Sequence, residues 1–292
     1  IICAGAMLWD LIGHSPTRLE PGDDVAGRVR RFPGGVAMNI GLALTRMGLR
    51  PAILSSVGRD TLGELLIPEV ERRGIDTRWV RRDGDMPTDM YIAIESPDGL
   101  VAAIADVRGL EAAGAAIFAP LRDGRLGDAD NPWHGTLVLD GNLTLPVIST
   151  LARDPCLAGA ALRIAPASPD KVTRLWPLLG MPNAIFYLNR PEAEALTGRS
   201  FRSTARAAEA VIALGARRVL VTDSANAAAD ACKGEPTLSE APPQVAALRV
   251  TGAGDIFVAA HVAAELAGAD REAALHAAVQ AGATHVAGME QS

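Results

Sequence analysis

The sequence predicts an α/β fold with a mostly parallel sheet and helices on both of its faces. Three observations carry this. In the second half, short apolar runs alternate with helix-length segments. Alanine, valine and leucine supply the interior, while aromatics make up only 4% of the chain. The early stretches from Leu11 to Phe32 and from Met90 to Ile104 read instead as short strands and loops outside the main layers. At 292 residues the chain can bury one large core without staples.

Ile1–Ala6 is a short apolar run ending near Gly5, as expected of a buried strand. Ile40, Ala43, Leu44 and Met47 recur at helical spacing within Val36–Met47, and Gly48 stops the helix. Pro51–Val57 reads as a strand and Thr61–Arg73 as a helix. Met90–Ile94 and Leu100–Ile104 flank the turn Pro97-Asp98-Gly99, a hairpin pattern. Thr136–Leu139, Leu162–Ile164, Ala184–Leu188 and Arg218–Thr222 read as strands. Helices are expected from Val147, over Asp170–Leu179, from Pro191, and over Thr204–Leu214. No repeat or low-complexity linker divides the chain. One domain over residues 1–292 is expected, with lid segments at about 11–33 and 84–106 inserted in it.

The formal charge is −6, and the basic clusters Arg28, Arg30, Arg31 and Arg78, Arg81, Arg82 are short and interrupted. Nucleic-acid binding is disfavoured, because a polyanion needs a continuous basic stripe. The three cysteines, Cys3, Cys156 and Cys232, lie far apart and show no metal-ligand spacing, so reduced thiols in a cytoplasmic protein are expected. The longest uncharged run, Leu175–Asn189, is too short for a membrane span and holds two prolines. No basic-then-apolar signal peptide opens the chain. It begins inside a strand-like run, so native residues are expected ahead of Ile1.

The strongest chemical signal is Thr251-Gly252-Ala253-Gly254-Asp255, followed by Ile256, Phe257, Ala260 and Ala264 at helical spacing. Glycines at a helix entrance let backbone N–H groups converge, and the helix dipole adds positive potential there. A carboxylate beside such an anion site can take a proton during phosphoryl transfer. Asp255 could equally be a dipole-complementing residue of an ordinary glycine-rich helix entry. Upstream, Gly34-Gly35 precede a helix with Asn39 in its first turn. Glycines there permit close approach of a ligand, and the Asn39 amide could bond sugar hydroxyls or simply cap the helix. Gly58-Arg59-Asp60-Thr61-Leu62-Gly63 repeats the pattern, with Asp60 read as an N-cap.

Gly34-Gly35…Asn39, Gly58-x-Asp60-x-x-Gly63, Asn189-x-x-Glu192 and Thr251-Gly252-Ala253-Gly254-Asp255 together resemble the signatures of the ribokinase-like (PfkB) carbohydrate kinases, in that family's order. Leu100–Ile104, Leu137–Asn142 and Leu188–Gly198 look most like the pseudouridine kinases. The resemblance implies a three-layer αβα sandwich with a small β lid, and ATP-dependent phosphorylation of a hydroxymethyl group on a nucleoside or sugar. Pseudouridine is the first candidate and another sugar or nucleoside the second. A relative that binds its ligand without catalysis is a third reading.

By the same resemblance, Asp255 is the base and the backbone of Gly252, Ala253 and Gly254 holds phosphate charge. Asp10, Gly34, Gly35, Asn39, Thr88, Asp106 and Asn142 face the acceptor, although Asn142 also suits a plain turn. Asn189, Thr222, Ser224 and Thr251 would serve the nucleotide, and Glu192 would reach Mg²⁺ through water; a capping pair explains Asn189 and Glu192 as well. A K⁺-like monovalent cation and a homodimer through the lid enter only as family features. No nucleic acid or membrane partner is expected. This chain departs from the pattern at Asp223-Ser224-Ala225-Asn226, where relatives often carry glycine, at Ala165 and Ala105, where relatives carry Asp and Asn, and at Ser292, where relatives continue.

Overall fold

The computed structural model describes residues 1–289, and at Asp83 the backbone alone. In chain order the first half comprises β1 (Ile2–Ala4), β2 (Leu8–His14), β3 (Arg28–Gly34), α1 (Val36–Arg46), β4 (Ala52–Leu54), β5 (Ser56–Gly58), α2 (Thr61–Arg72), β6 (Arg81–Asp83), β7 (Met90–Ser96), β8 (Gly99–Asp106) and α3 (Arg108–Ala113). The second half comprises β9 (Thr136–Asp140), α4 (Leu145–Leu151), β10 (Ala161–Ala165), β11 (Ala184–Asn189), α5 (Arg190–Thr197), α6 (Thr204–Ala213), β12 (Arg218–Asp223), β13 (Asn226–Cys232), β14 (Leu238–Glu240), α7 (Ala253–Leu266) and α8 (Arg271–Val286).

Eight strands form the main sheet in the order β14-β13-β12-β11-β10-β9-β1-β4. The six from β12 to β4 run parallel, whereas β13 and β14 close one edge antiparallel. Side chains alternate along each strand. Ile2 and Ala4, Leu137 and Leu139, Leu162 and Ile164, Phe186 and Leu188, and Val219 and Val221 enter one core with α3 to α6. Cys3, Val138, Ile185, Tyr187 and Leu220 enter the other with α1, α7 and α8. Both faces are covered, as near-continuous apolar parallel strands require. The layers are helix, sheet, helix.

Four strands, β3-β2-β7-β8, form a separate sheet. Its β2–β3 and β7–β8 pairs are antiparallel and its β2–β7 pair is parallel. The expected hairpin at Pro97-Asp98-Gly99 is present. One face of this sheet leaves Val29 and Ile104 exposed, at 74% and 69%.

Two expectations for the elements need correction. The strand over Pro51–Val57 is two strands: β4 stays in the main sheet, while β5 pairs with β6 in a small sheet of its own. The break falls at Ser55, whose hydroxyl donates to the Gly5 carbonyl at 2.6 Å and ties the chain back to β1. Asp170–Leu179 is not an α-helix. A 3₁₀ helix spans Val172–Leu178 with Pro177 inside it, where proline lacks an N–H and disfavours α geometry in the preceding residue. The chain beyond Thr222 adds two antiparallel strands, because Asn226–Cys232 folds back on β12.

Candidate active site

Two of the three glycine-marked segments meet through Asn39 and Asp255, near the carboxyl ends of the parallel strands, the usual ligand position in open α/β sheets, whereas Gly58–Gly63 packs against Met86–Thr88. Helix α7 begins at Gly252, which takes a left-handed φ of 86°, and no described side chain caps it. The first-turn N–H groups of Gly254 and Asp255 lack intrahelical acceptors by geometry. The Ala253 N–H differs from expectation: it donates to the Val250 carbonyl at 3.2 Å and closes the turn itself. A Cβ built on Gly254 would meet nothing within 4 Å, so the helix entrance is open there.

Asp255 projects from this first turn and keeps a partly exposed surface. Asn39, in the first turn of α1, donates its Nδ2 to Asp255 Oδ2 at 3.1 Å, across 216 residues of sequence. The amide expected at sugar hydroxyls is thus also a direct partner of the expected base. Surrounding protein raises the Asp255 carboxyl to about 7. Asn39 opposes that rise, whereas the charges of Asp140 and Asp10 add to it.

Asp10 lies on β2 opposite Phe32 of β3, and burial lifts its carboxyl to about 6. Its carboxylate rests on the α-carbon of Gly34: a Cβ there would come 2.1 Å from Asp10 Cγ. Gly35 caps α1 with φ 102°, and a Cβ on it would strike the Ala6 carbonyl oxygen at 2.3 Å. Both glycines are therefore steric necessities at this junction.

Sequence reasoning gave no role to Asp140. This fully buried carboxylate ends β9 and accepts from the Ala6 N–H at 2.8 Å, the Ala37 N–H at 3.1 Å and the Asn142 N–H at 2.9 Å. It joins β1, the entrance of α1 and the β9 loop through one side chain, and its burial pushes its own pKa up. The available signal was an acid closing the apolar run Leu137-Val138-Leu139 just before Gly141-Asn142. Asn142 is buried between Asp140 and Lys171, whose Nζ donates to Asn142 Oδ1 at 2.7 Å.

Two expected acceptor residues are engaged elsewhere. The buried Thr88 hydroxyl donates to Asp60, and the Thr88 N–H reaches the same carboxylate at 3.0 Å. Asp60 also caps α2 through the Gly63 N–H. Asp106 ends β8 in an ion pair with Arg108 at 2.7 Å.

Among the residues expected to serve the nucleotide and its metal, Asn189 and Glu192 form a reciprocal capping box at the start of α5, with both bonds at 2.8 Å. Glu192 is nonetheless buried. Its carboxyl rises to about 7, first through desolvation and then through the charge of Asp255, so the two acids share one neighbourhood. Thr222, one residue before the end of β12, pairs with Asn189 of β11. Ser224, exposed in the turn after it, is the one non-glycine residue with positive φ, at 50°, among the described residues. Serine thus adopts the backbone form that favours glycine in hairpin turns. Thr251 is exposed, and its carbonyl accepts from His285 Nε2 at 2.8 Å.

An open helix entrance with a carboxylate in its first turn is the arrangement of a phosphoryl-transfer protein of the small-molecule kinase class. The chain belongs to the pfkB family of carbohydrate kinases, whose sequence profile matches residues 1–290. It is 25% identical to the ribokinase of Mus musculus over 89% of this chain and 80% of that protein. Its match to the pseudouridine kinase of Escherichia coli is local: 31% identity over 75 residues, 26% of this chain and 24% of that one. Another curated match is equally local, covering 26% of that protein's length. The structure of Arabidopsis thaliana ribokinase complexed with ribose and ATP superposes with a TM-score of 0.78 over 98% of this chain and 91% of that one, at 20% identity. That likeness concerns the fold. Among the described residues no helix is long and apolar enough to cross a membrane.

Proposed function

We propose that this protein transfers the γ-phosphoryl group of ATP to the hydroxymethyl group of a nucleoside or sugar, with pseudouridine, giving pseudouridine 5′-phosphate, as the first candidate acceptor. The single observation that carries this reading is the Asp255 carboxylate, raised to about 7 and set in the first turn of an open helix entrance. Asp255 takes the acceptor's hydroxyl proton as the oxygen attacks the γ-phosphorus. The bond to the bridging oxygen breaks, and ADP leaves with the electron pair. The N–H groups of Gly252 and Gly254 face the developing phosphate charge. Asp10 and Asn39 orient the sugar ring, and Asn142 lies on the same side. Thr222, Ser224, Asn189 and Thr251 serve the nucleotide. The ribose- and ATP-bound relative of the same fold supports ATP as donor.

Magnesium fits the donor set. Glu192 and Asp255 are acids in one neighbourhood, and a bound cation nearby would relieve their mutual repulsion. Among the described residues no three His, Cys, Asp or Glu side chains form a ready metal cluster, so Glu192 would hold the ion through water. Bound Mg²⁺ supplies charge neutralisation on the phosphates. A monovalent cation such as K⁺ enters only by family resemblance. The separate four-stranded sheet acts as the lid of a single kinase domain. Its exposed Val29, Ile92, Ile94 and Ile104 support pairing with a second copy. Three unpaired thiols suit the cytoplasm.

A panel of pseudouridine, uridine, ribose and adenosine with ATP and Mg²⁺ tests the acceptor. Asp255→Asn is expected to keep acceptor binding within about twofold and to cut turnover by roughly 10²–10⁴-fold. Near-full turnover in that variant overturns the base assignment. Failure of the wild-type protein to phosphorylate any of the four favours a ligand-binding relative, to which the missing carboxylate at Ala165 also points.

A further inference from the structure

The helix entrance is held from behind by the end of α8. The Leu248 and Arg249 N–H groups both reach the Val286 carbonyl, at 2.9 and 3.1 Å, and His285 Nε2 lies 2.8 Å from the Thr251 oxygen. A carbonyl oxygen only accepts, so His285 Nε2 carries the hydrogen. His285 itself is buried, at 2% exposure, whereas Thr251 is exposed. A Cβ on Gly252 would come 3.5 Å from the same Nε2, so the imidazole borders the peptide that it bonds.

The Thr251–Gly252 peptide is planar and trans, and its C=O and N–H point in opposite directions. Fixing the oxygen on the α8 side therefore directs the Gly252 N–H away from α8. That restraint matters at Gly252, because glycine resists rotation of a flanking peptide least. A flipped peptide would present an oxygen where the phosphate needs a hydrogen-bond donor. We propose that His285 is a positioning residue of the phosphate site: its Nε2–H locks the Thr251–Gly252 peptide in the orientation that offers the Gly252 N–H to the transferring phosphoryl group. The inference rests on the reading of the Gly252–Gly254 entrance as a phosphate site.

His285→Leu removes the donor and keeps much of the volume, while His285→Gln restores a side-chain N–H. Steady-state transfer from ATP, with Mg²⁺ and whichever acceptor the panel identifies, is compared with acceptor binding by calorimetry. The Leu variant is expected to lose about 10- to 100-fold in kcat, less than the full loss of an oxyanion donor. Its acceptor Kd is expected to stay within about twofold, and the Gln variant to recover most of the turnover. Unchanged kcat in the Leu variant, or equal losses in both variants, makes His285 a packing residue and overturns the proposal. If the Leu variant does not fold, long-range ¹H–¹⁵N spectra of the wild-type protein decide. A protonated Nε2 with slow solvent exchange supports the restraint, and an unprotonated Nε2 ends it. The two failures are separable: a wild-type protein inert toward every acceptor refutes the phosphate site, whereas an active one indifferent to His285→Leu refutes only the lock.

Discussion

At the scale of single residues, the titration of Asp255 is set by neighbours that act in opposite directions. The Asn39 amide stabilises the carboxylate, and the charge of Asp10 disfavours it. Asn39→Ala should therefore move the acid limb of the kcat profile to higher pH, with turnover at pH 6 falling roughly two- to threefold beyond any loss at pH 8. Asp10→Asn should move the same limb to lower pH while raising KM for the acceptor. Limbs that shift in the same direction would contradict this electrostatic account. Glu192→Gln is expected to raise the Mg²⁺ concentration for half-maximal turnover by roughly tenfold, read from a magnesium titration at saturating ATP. Asp255, Gly34, Gly35 and Asn39 stand out in the sequence because glycine beside a polar residue at a helix start is a local pattern. Asp140 does not stand out, since two of its backbone N–H partners, on Ala6 and Ala37, lie 134 and 103 residues away and an acid at a strand end is common. The contact between Asn39 and Asp255 is equally invisible locally, at a separation of 216 residues.

At the scale of elements, the β12–β13 turn joins Asp223 and Asn226 through Ser224 and Ala225. A non-glycine residue at a φ of 50° costs about 1 kcal/mol relative to glycine. Ser224→Gly is expected to raise Tm of the ligand-free protein by about 1–3 °C in a thermal scan and, given the role proposed for Ser224, to weaken ATP binding. A drop in Tm would mean that the serine hydroxyl outweighs the backbone cost. The same turn explains what the sequence hides. Strands β9 to β12 are plain because valine, leucine and isoleucine alternate with helices, and α1, α2 and α6 because their apolar faces recur at helical spacing. Strand β13, Asn-Ala-Ala-Ala-Asp-Ala-Cys, carries no branched residue and reads as helix or loop until its pairing with β12 is known. The split of β4 from β5 depends on the bond from Ser55 to Gly5, which no window around Ser55 contains.

At the scale of the whole molecule, Asp10 and Asp89, held at about 6, and Glu192 and Asp255, at about 7, all bind protons more tightly in the folded state than in an open chain. Their contribution to stability is complete below the ordinary carboxyl range and fades as pH rises through 6 and 7. Carboxylates held low by partners, such as Asp60, Asp76 and Asp223, contribute above the ordinary range and lose their effect in stronger acid. Ligand-free protein should therefore melt higher at pH 5.5 than at pH 8. Asp255→Asn should flatten that slope and raise Tm at pH 8 by a few degrees, as calorimetry at the two pH values would read. A slope unchanged by the substitution would mean that the carboxyl is not strained by its surroundings. The contact between Asn39 and Asp255 also has a consequence for biosynthesis. Asn39 leaves the ribosome 216 residues ahead of its partner Asp255, so the two halves of the proposed site are made far apart in time. A chain cut short before Asp255 lacks the proposed base, and on that reading it would transfer no phosphate.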